Sequence, residues 1–256
     1  MDIQRKRFLS YAEGYLSGSP EVDPYLKLKI DHSLRVYGNA TDLLAREEEL
    51  REDPLPRALL LAALYHDVGR FEQYMRYRTF SDAISCDHGA LGAKIIKEQD
   101  FFADEDRDVG RLARAAVAAH NRPALPEVFE RRYGLVLTAL RDADKVDILR
   151  VIAEELAGES NPDAQVLMRL KNEEGAYSPL IVRALDEGRV AKYGDMRYVN
   201  DFRIVLCTWL WDLRFASSLR AVREGGYLVR IAAGLSVPVQ IKDKIATLIR
   251  KKLDLE

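Results

Sequence analysis

Apolar residues along the chain recur at intervals of three and four, and the two-residue alternation of strands is hard to find, which predicts an all-α fold. Asp23-Pro24 reads as a helix start, with Asp as N-cap and Pro at the first helical position. That helix is expected to run to about residue 49, with Leu26, Ile30, Leu34, Tyr37 and Leu44 inward. Asp53-Pro54 signals a second start, and residues 58–64 are apolar all round, as in a central helix. Gly69 is expected to close it in the left-handed conformation. Residues 71–87 lack a period and read as a loop, after which Asp87 caps a third helix reaching Lys97. A fourth is expected from about residue 105 to His120, with Leu112, Ala116 and Ala119 inward. Pro123 and Pro126 break the chain before a fifth helix over about 127–156, with Gly134 a point of interruption. Residues 158–162 are the strongest punctuation, and helical patterns over 164–170, 178–187 and 202–222 follow. The organisation expected is a core over 1–157 with additional C-terminal helices over 158–256 packed on it.

Composition narrows the function classes. A formal net charge of −2 excludes a nucleic-acid binder driven by global charge. Two cysteines, Cys86 and Cys207, cannot build a dense disulfide framework and fit a reducing cytosol. The charged residues 1–14 lack the apolar run of a secretory signal, and no stretch approaches the ~20 apolar residues of a bilayer span. A cytoplasmic location without membrane association is expected.

The candidate chemistry lies in four histidines, His32, His66, His88 and His120, each on or beside a different predicted helix. Asp67 follows His66, and Asp144 lies on the fifth helix. Each alone reads as a packed or solvated side chain; as a set they exceed what that reading predicts. Imidazoles and carboxylates without thiolates suit borderline or hard divalent ions rather than a closed structural zinc site. Adjacent His66 and Asp67 cannot both face inward on an ideal helix, but they can at a helix end. A carboxylate can also bridge two ions, and two ions roughly 3.5–4 Å apart clamp both oxygens of a displacement at phosphorus.

The order of these residues resembles the HD superfamily pattern H…HD…H…H…D, met by His32, His66-Asp67, His88, His120 and Asp144. The surrounding words resemble it too: DHSLRV (31–36), ALYHDVGR (63–70), DHGALG (87–92) and DADKVD (142–147), so the resemblance covers roughly 20–155. It implies a helical bundle and a metal-dependent phosphohydrolase. It implies one or two divalent ions, with Fe or Mn ahead of Mg, Ni, Co or Zn. It implies His32, His66, Asp67 and Asp144 for one ion, and Asp67, His88 and His120 for a second, with Asp67 as the bridge and a catalytic residue. Asp142 and Asp147 compete with Asp144, which is preferred because the family's word is A-D-K-hydrophobic. Arg70 falls where related enzymes carry a cation that meets phosphate, and Lys145 is a second candidate for that role. Residues 70–78 mix cations and aromatics suited to stacking a base and holding phosphates. The chain lacks the GYP word and doubled His of the HD-GYP branch, and the acidic pair that follows the HD in alarmone hydrolases. Trp209 and Trp211 read as core. The expected activity is hydrolysis of a phosphate ester or anhydride by a metal-activated water, with a small phosphorylated metabolite or nucleotide as partner. Two alternatives stay open: a di-iron oxygenase of the HD type, and a non-catalytic, metal-stabilised module that senses a nucleotide or binds a partner.

Overall fold

A computed structural model describes residues 2–123, 130–155 and 170–254; among these it contains helices, one isolated bridge between Lys171 and Tyr198, and no strand. No helix of the described residues is long and apolar enough to cross a membrane. The chain divides into two compact units, 1–144 and 145–256.

The first unit holds α1 (Asp2–Glu13), α2 (Asp23–Arg46), α3 (Leu55–Tyr65), α4 (Gly69–Tyr77), α5 (His88–Glu98) and α6 (Arg107–Ala119). It also holds the first part of α7 (Arg131–Glu155), within which the division falls. The apolar run of the sequence is α3, where Leu59, Leu61, Ala62, Ala63 and Tyr65 are all fully buried. Tyr65, next to His66, is anchored by α1. Its hydroxyl donates to the Gln4 side chain at 2.9 Å, and its ring meets Phe8 edge-on at 5.7 Å. The sequence reading contains no α1, whose apolar positions are sparse.

Other departures have local causes. Val22, not Asp23, occupies the N-cap of α2; the Asp23 carboxylate instead accepts from the Ser17 and Gly18 amides at 3.0 and 2.8 Å, closing the preceding turn. The buried stripe of α2 is Leu26, Ile30, His32, Ser33, Val36, Ala40 and Leu43. Leu34, Tyr37 and Leu44 are only partly buried, because the face that carries His32 is the one turned inward. Gly69 does not end a helix in a left-handed conformation. It opens α4, so 70–77 is helical rather than loop, and Arg78 closes that helix at φ 53°. Glycine is required at position 69 by contact: a Cβ there would lie 2.3 Å from the His88 carbonyl oxygen and 2.8 Å from the Gly92 nitrogen. The third helix begins as expected, with the Asp87 carboxylate accepting from the Ala90 amide at 3.0 Å. The inward side of α6 contains Leu112, Ala116 and Ala119. Gly134 does not interrupt α7.

The second unit holds α8 (Pro179–Asp186), α9 (Val199–Thr208), α10 (Ala216–Glu224), α11 (Tyr227–Ala233) and α12 (Val239–Leu253). Leu149, Ile181, Ile204, Val205, Val222, Leu228, Ile231 and Ile245 form its core. The apolar stretch 202–222 is two helices rather than one, separated by a 3-10 turn at Trp209–Trp211. Trp209 is buried in the core and Trp211 half-buried. Asp201 accepts from the amides of Ser178, Arg197 and Tyr198 at 2.7, 2.8 and 3.0 Å, which fixes the start of α9. The expected punctuation at 158–162 and the pattern at 164–169 lie outside the described residues.

Candidate metal centre

Five helices of the first unit bring the predicted ligands together. His32 projects from the inward stripe of α2. His66 and Asp67 occupy the turn between α3 and α4, where the break in the helix lets two consecutive residues both be buried, at 0% and 3% exposure. His88 opens α5, His120 follows the last residue of α6, and Asp144 lies on α7. Side chains that the sequence reading did not single out hold these segments in place. Asn39 on α2 donates to the Ala143 carbonyl at 2.9 Å, setting Asp144 against His32. Arg141 on α7 donates to the His120 carbonyl at 2.9 Å. At the start of α5, Gly89 allows close approach to α6, since a Cβ there would lie 2.9 Å from the Val117 carbonyl oxygen.

The donor atoms fall into two overlapping groups. His32 Nε2 lies 3.1 Å from His66 Nε2 and 3.1 Å from Asp144 Oδ1, and His66 Nε2 is 3.7 Å from Asp144 Oδ1. His88 Nε2 lies 3.0 Å from His120 Nε2. Asp67 stands between them. Its Oδ2 is 3.7 Å from the Nε2 of both His32 and His66, and its Oδ1 is 3.3 and 3.9 Å from those of His88 and His120. Donors each about 2.1 Å from a shared ion stand roughly 3.0–3.4 Å apart, close to the separations within each group.

The hydrogen bonding fits a cation. Nδ1 of His66 and His120 each faces a backbone carbonyl, Ala63 at 2.9 Å and Val117 at 2.7 Å, so Nδ1 donates and Nε2 keeps its lone pair. Nδ1 of His88 faces Asp82 Oδ2 at 2.6 Å, with the same result. Two Nε2 lone pairs 3.0 Å apart repel unless a cation lies between them. Asp144 Oδ1 is buried and makes no hydrogen bond, although His32 Nε2 is 3.1 Å away. Burial pushes the His66 pKa down, and burial followed by the neighbouring His88 pushes His120 down to about 3, so both are neutral. Burial works to raise Asp67 and Asp144. Lys29 and Arg70 nonetheless hold Asp67 well below the usual carboxylate range, and His32 does the same for Asp144. His66 and His120 are therefore neutral imidazoles beside the anionic carboxylates of Asp67 and Asp144, the protonation state that divalent ions require of such ligands.

The two candidate phosphate cations are differently placed. Arg70 lines the site: Nε donates to Asp67 Oδ1 at 3.3 Å, and Nη1 bonds Gln73 at 2.8 Å, Asp82 at 3.0 Å and the Phe80 carbonyl. Its Nη2 has no hydrogen bond to a described residue. Lys145 is 2.7 Å from Asp212 Oδ2 and lies over the Trp209 ring, so its ammonium is engaged within the second unit. In the 70–78 stretch, Phe71 and Tyr74 are core, and Tyr74 stacks on Phe80 at 4.7 Å. Lys29, outside the H…HD…H…H…D words, also reaches the site: its Nζ is 2.8 Å from Asp67 Oδ2 and 5.2 Å from the Phe80 ring. Its only signal was its place one turn before His32.

The family model described as HD domain matches residues 30–169. No curated protein and no solved structure matches the chain.

Proposed function

The chain belongs to the HD domain family, in general metal-dependent phosphohydrolases, and on that premise we propose that it hydrolyses a phosphate ester or anhydride of a nucleotide. In this reading His32, His66, Asp67 and Asp144 hold one divalent ion and Asp67, His88 and His120 hold a second. When bound, such ions lower the pKa of water and neutralise charge on phosphoryl oxygens.

The chain's own residues supply the rest. Asp67 presents one oxygen to each group of imidazoles, which suits it to a bridging role. Arg70 is placed beside Asp67 by its bonds to Gln73 and Asp82, leaving Nη2 to meet a phosphate oxygen through a charge-assisted hydrogen bond. The half-buried Phe80 ring, with Lys29 at 5.2 Å and Arg70 at 5.9 Å, offers an aromatic and cationic surface of the kind a nucleotide meets. The observation that carries the proposal is the convergence of four imidazole Nε2 atoms and two carboxylates drawn from five helices, with their donor atoms 3.0–3.9 Å apart.

The test is metal analysis of the purified chain followed by a phosphate-release screen across phosphorylated metabolites. Metal-dependent release from nucleotides is expected. Fully metal-loaded protein that releases no phosphate, or that instead takes up oxygen in an iron-dependent manner, would replace hydrolysis with the sensing or oxygenase alternative.

A further inference from the structure

His88 differs from His66 and His120 in how its ring is held. His66 and His120 each follow a helix, and the Nδ1 of each reaches the carbonyl three residues back in that helix. A residue at the first position of a helix has no preceding turn to supply such a carbonyl. His88 opens α5, and its Nδ1 donates instead to a side chain, Asp82 Oδ2, at 2.6 Å.

Asp82 lies in a 3-10 turn, Asp82–Ile84, that has no buried residue and whose Ile84 is 71% exposed. Core packing therefore does not fix that carboxylate; hydrogen bonds do. Oδ1 accepts from Arg70 Nη1 at 3.0 Å and from Gln73 Nε2 at 2.8 Å, both on α4. Oδ2 also accepts from Asn121 Nδ2 at 2.9 Å, and that amide bonds the α5 cap residue Asp87 at 2.8 Å. Gln73, fully buried, further ties the turn through Ser85 Oγ at 2.9 Å and the Cys86 carbonyl at 3.0 Å. Three side chains thus converge on one surface-loop carboxylate whose remaining contact is His88.

We infer that Asp82 is a positioning residue that sets the affinity of the second ion, the one assigned to Asp67, His88 and His120, without touching the ion itself. The inference rests on the binuclear reading above. A carboxylate on Nδ1 fixes the tautomer, points the Nε2 lone pair into the site and raises its basicity, and losing such a partner typically weakens metal binding about 10- to 100-fold. The partners of His66 and His120 are backbone carbonyls that no side-chain change removes. The second ion is consequently the one whose retention depends on the 79–87 loop, and with three assigned ligands against four it is the more weakly held.

The experiment is a Co²⁺ titration of the metal-stripped full chain, followed by absorption and by counting bound ions. Wild type is expected to take up two ions in two phases. Asp82→Asn is expected to weaken the second phase about 10- to 100-fold and to leave the first phase unchanged. Two wild-type phases in Asp82→Asn would overturn the inference, and so would parallel weakening of both, the mark of a general structural role. Should Asp82→Asn fail to fold, Asn121→Ala loosens the same carboxylate while keeping its charge, and an unweakened second phase there overturns the inference equally. Wild-type protein that binds no Co²⁺ would instead sink the metal reading of the site.

Discussion

At the scale of single residues, the proposed roles of Asp67 and Arg70 separate metal holding from substrate handling. Asp67 faces both groups of imidazoles, whereas His88 faces one, so Asp67→Ala is expected to abolish phosphate release and to remove more bound metal than His88→Ala. Ion counting on the two variants checks this. An Asp67→Ala chain that retained two ions would refute the bridge. Arg70 touches Asp67 but is assigned to no ion. With metal at saturation, Arg70→Ala is expected to lower kcat/KM by about 2–4 kcal/mol in transition-state terms, comparable to removing one pre-organised oxyanion donor. Arg70→Lys should recover only part, because one ammonium restores charge near Asp67 but cannot serve Gln73, Phe80 and Asp82 as the guanidinium does. Wild-type kinetics in Arg70→Ala would leave Arg70 as a clamp on the loop alone.

Among the helices, close backbone approach sets the geometry. Gly69→Ala would drive a methyl against the His88 carbonyl at the junction of α4 and α5, where both neighbours are backbone and cannot swing away. A loss of about 1–3 kcal/mol, read from urea unfolding, is expected from such overpacking, with metal binding weakened because His88 moves with its carbonyl. Unchanged stability would show that the two helices can separate freely. This junction also marks the limit of what was legible in the sequence. The Asp53-Pro54 start with its apolar run located α3, the Asp87 cap located α5 and the inward positions Leu112, Ala116 and Ala119 located α6, and the ordered H…HD…H…H…D words named the six side chains that the fold brings together. Glycine at position 69 suggests a helix stop because it tolerates left-handed backbone, whereas its use here is the missing Cβ, a contact with residues 19 and 23 positions away that local pattern cannot reveal. α4 carries no legible period for a related reason: its aromatic and charged residues pack on α1 and hold a loop, so no simple apolar stripe appears. Asp82, Asn39, Asn121 and Arg141 carried no signal, since a polar residue that braces a ligand looks the same in sequence as one that faces water.

Over the molecule as a whole, the buried imidazoles tie stability to pH and metal. His66 is pushed below its ordinary pKa by burial, and His120 to about 3 by burial and His88. In the unfolded chain both titrate near ~6.5. A depressed folded pKa means that, between about 6.5 and the folded value, the unfolded chain holds protons that the folded chain lacks. Stability therefore falls as pH falls through that window, by up to about 1.4 kcal/mol per pH unit for each imidazole, and is level above it. Asp67 and Asp144, also depressed, add to the loss only below the ordinary carboxylate range near ~4. Bound metal adds about 2.7 kcal/mol at a free concentration 100 times its Kd, and because the folded imidazoles of His66 and His120 are already unprotonated, loaded protein should be more stable throughout but lose stability on acidification with a slope similar to that of stripped protein. Urea midpoints of chelator-treated and Mn²⁺-loaded chain between pH 5 and 8 measure both slopes. The stripped chain is expected to weaken from pH 6.5 to 5 and to be flat from 7 to 8, and His120→Gln, with one imidazole fewer, to weaken less over the acid interval. Equal midpoints at pH 5 and 7 in the stripped chain would mean that these imidazoles accept protons in the folded state, and that the neutral, metal-ready site described above does not persist in solution.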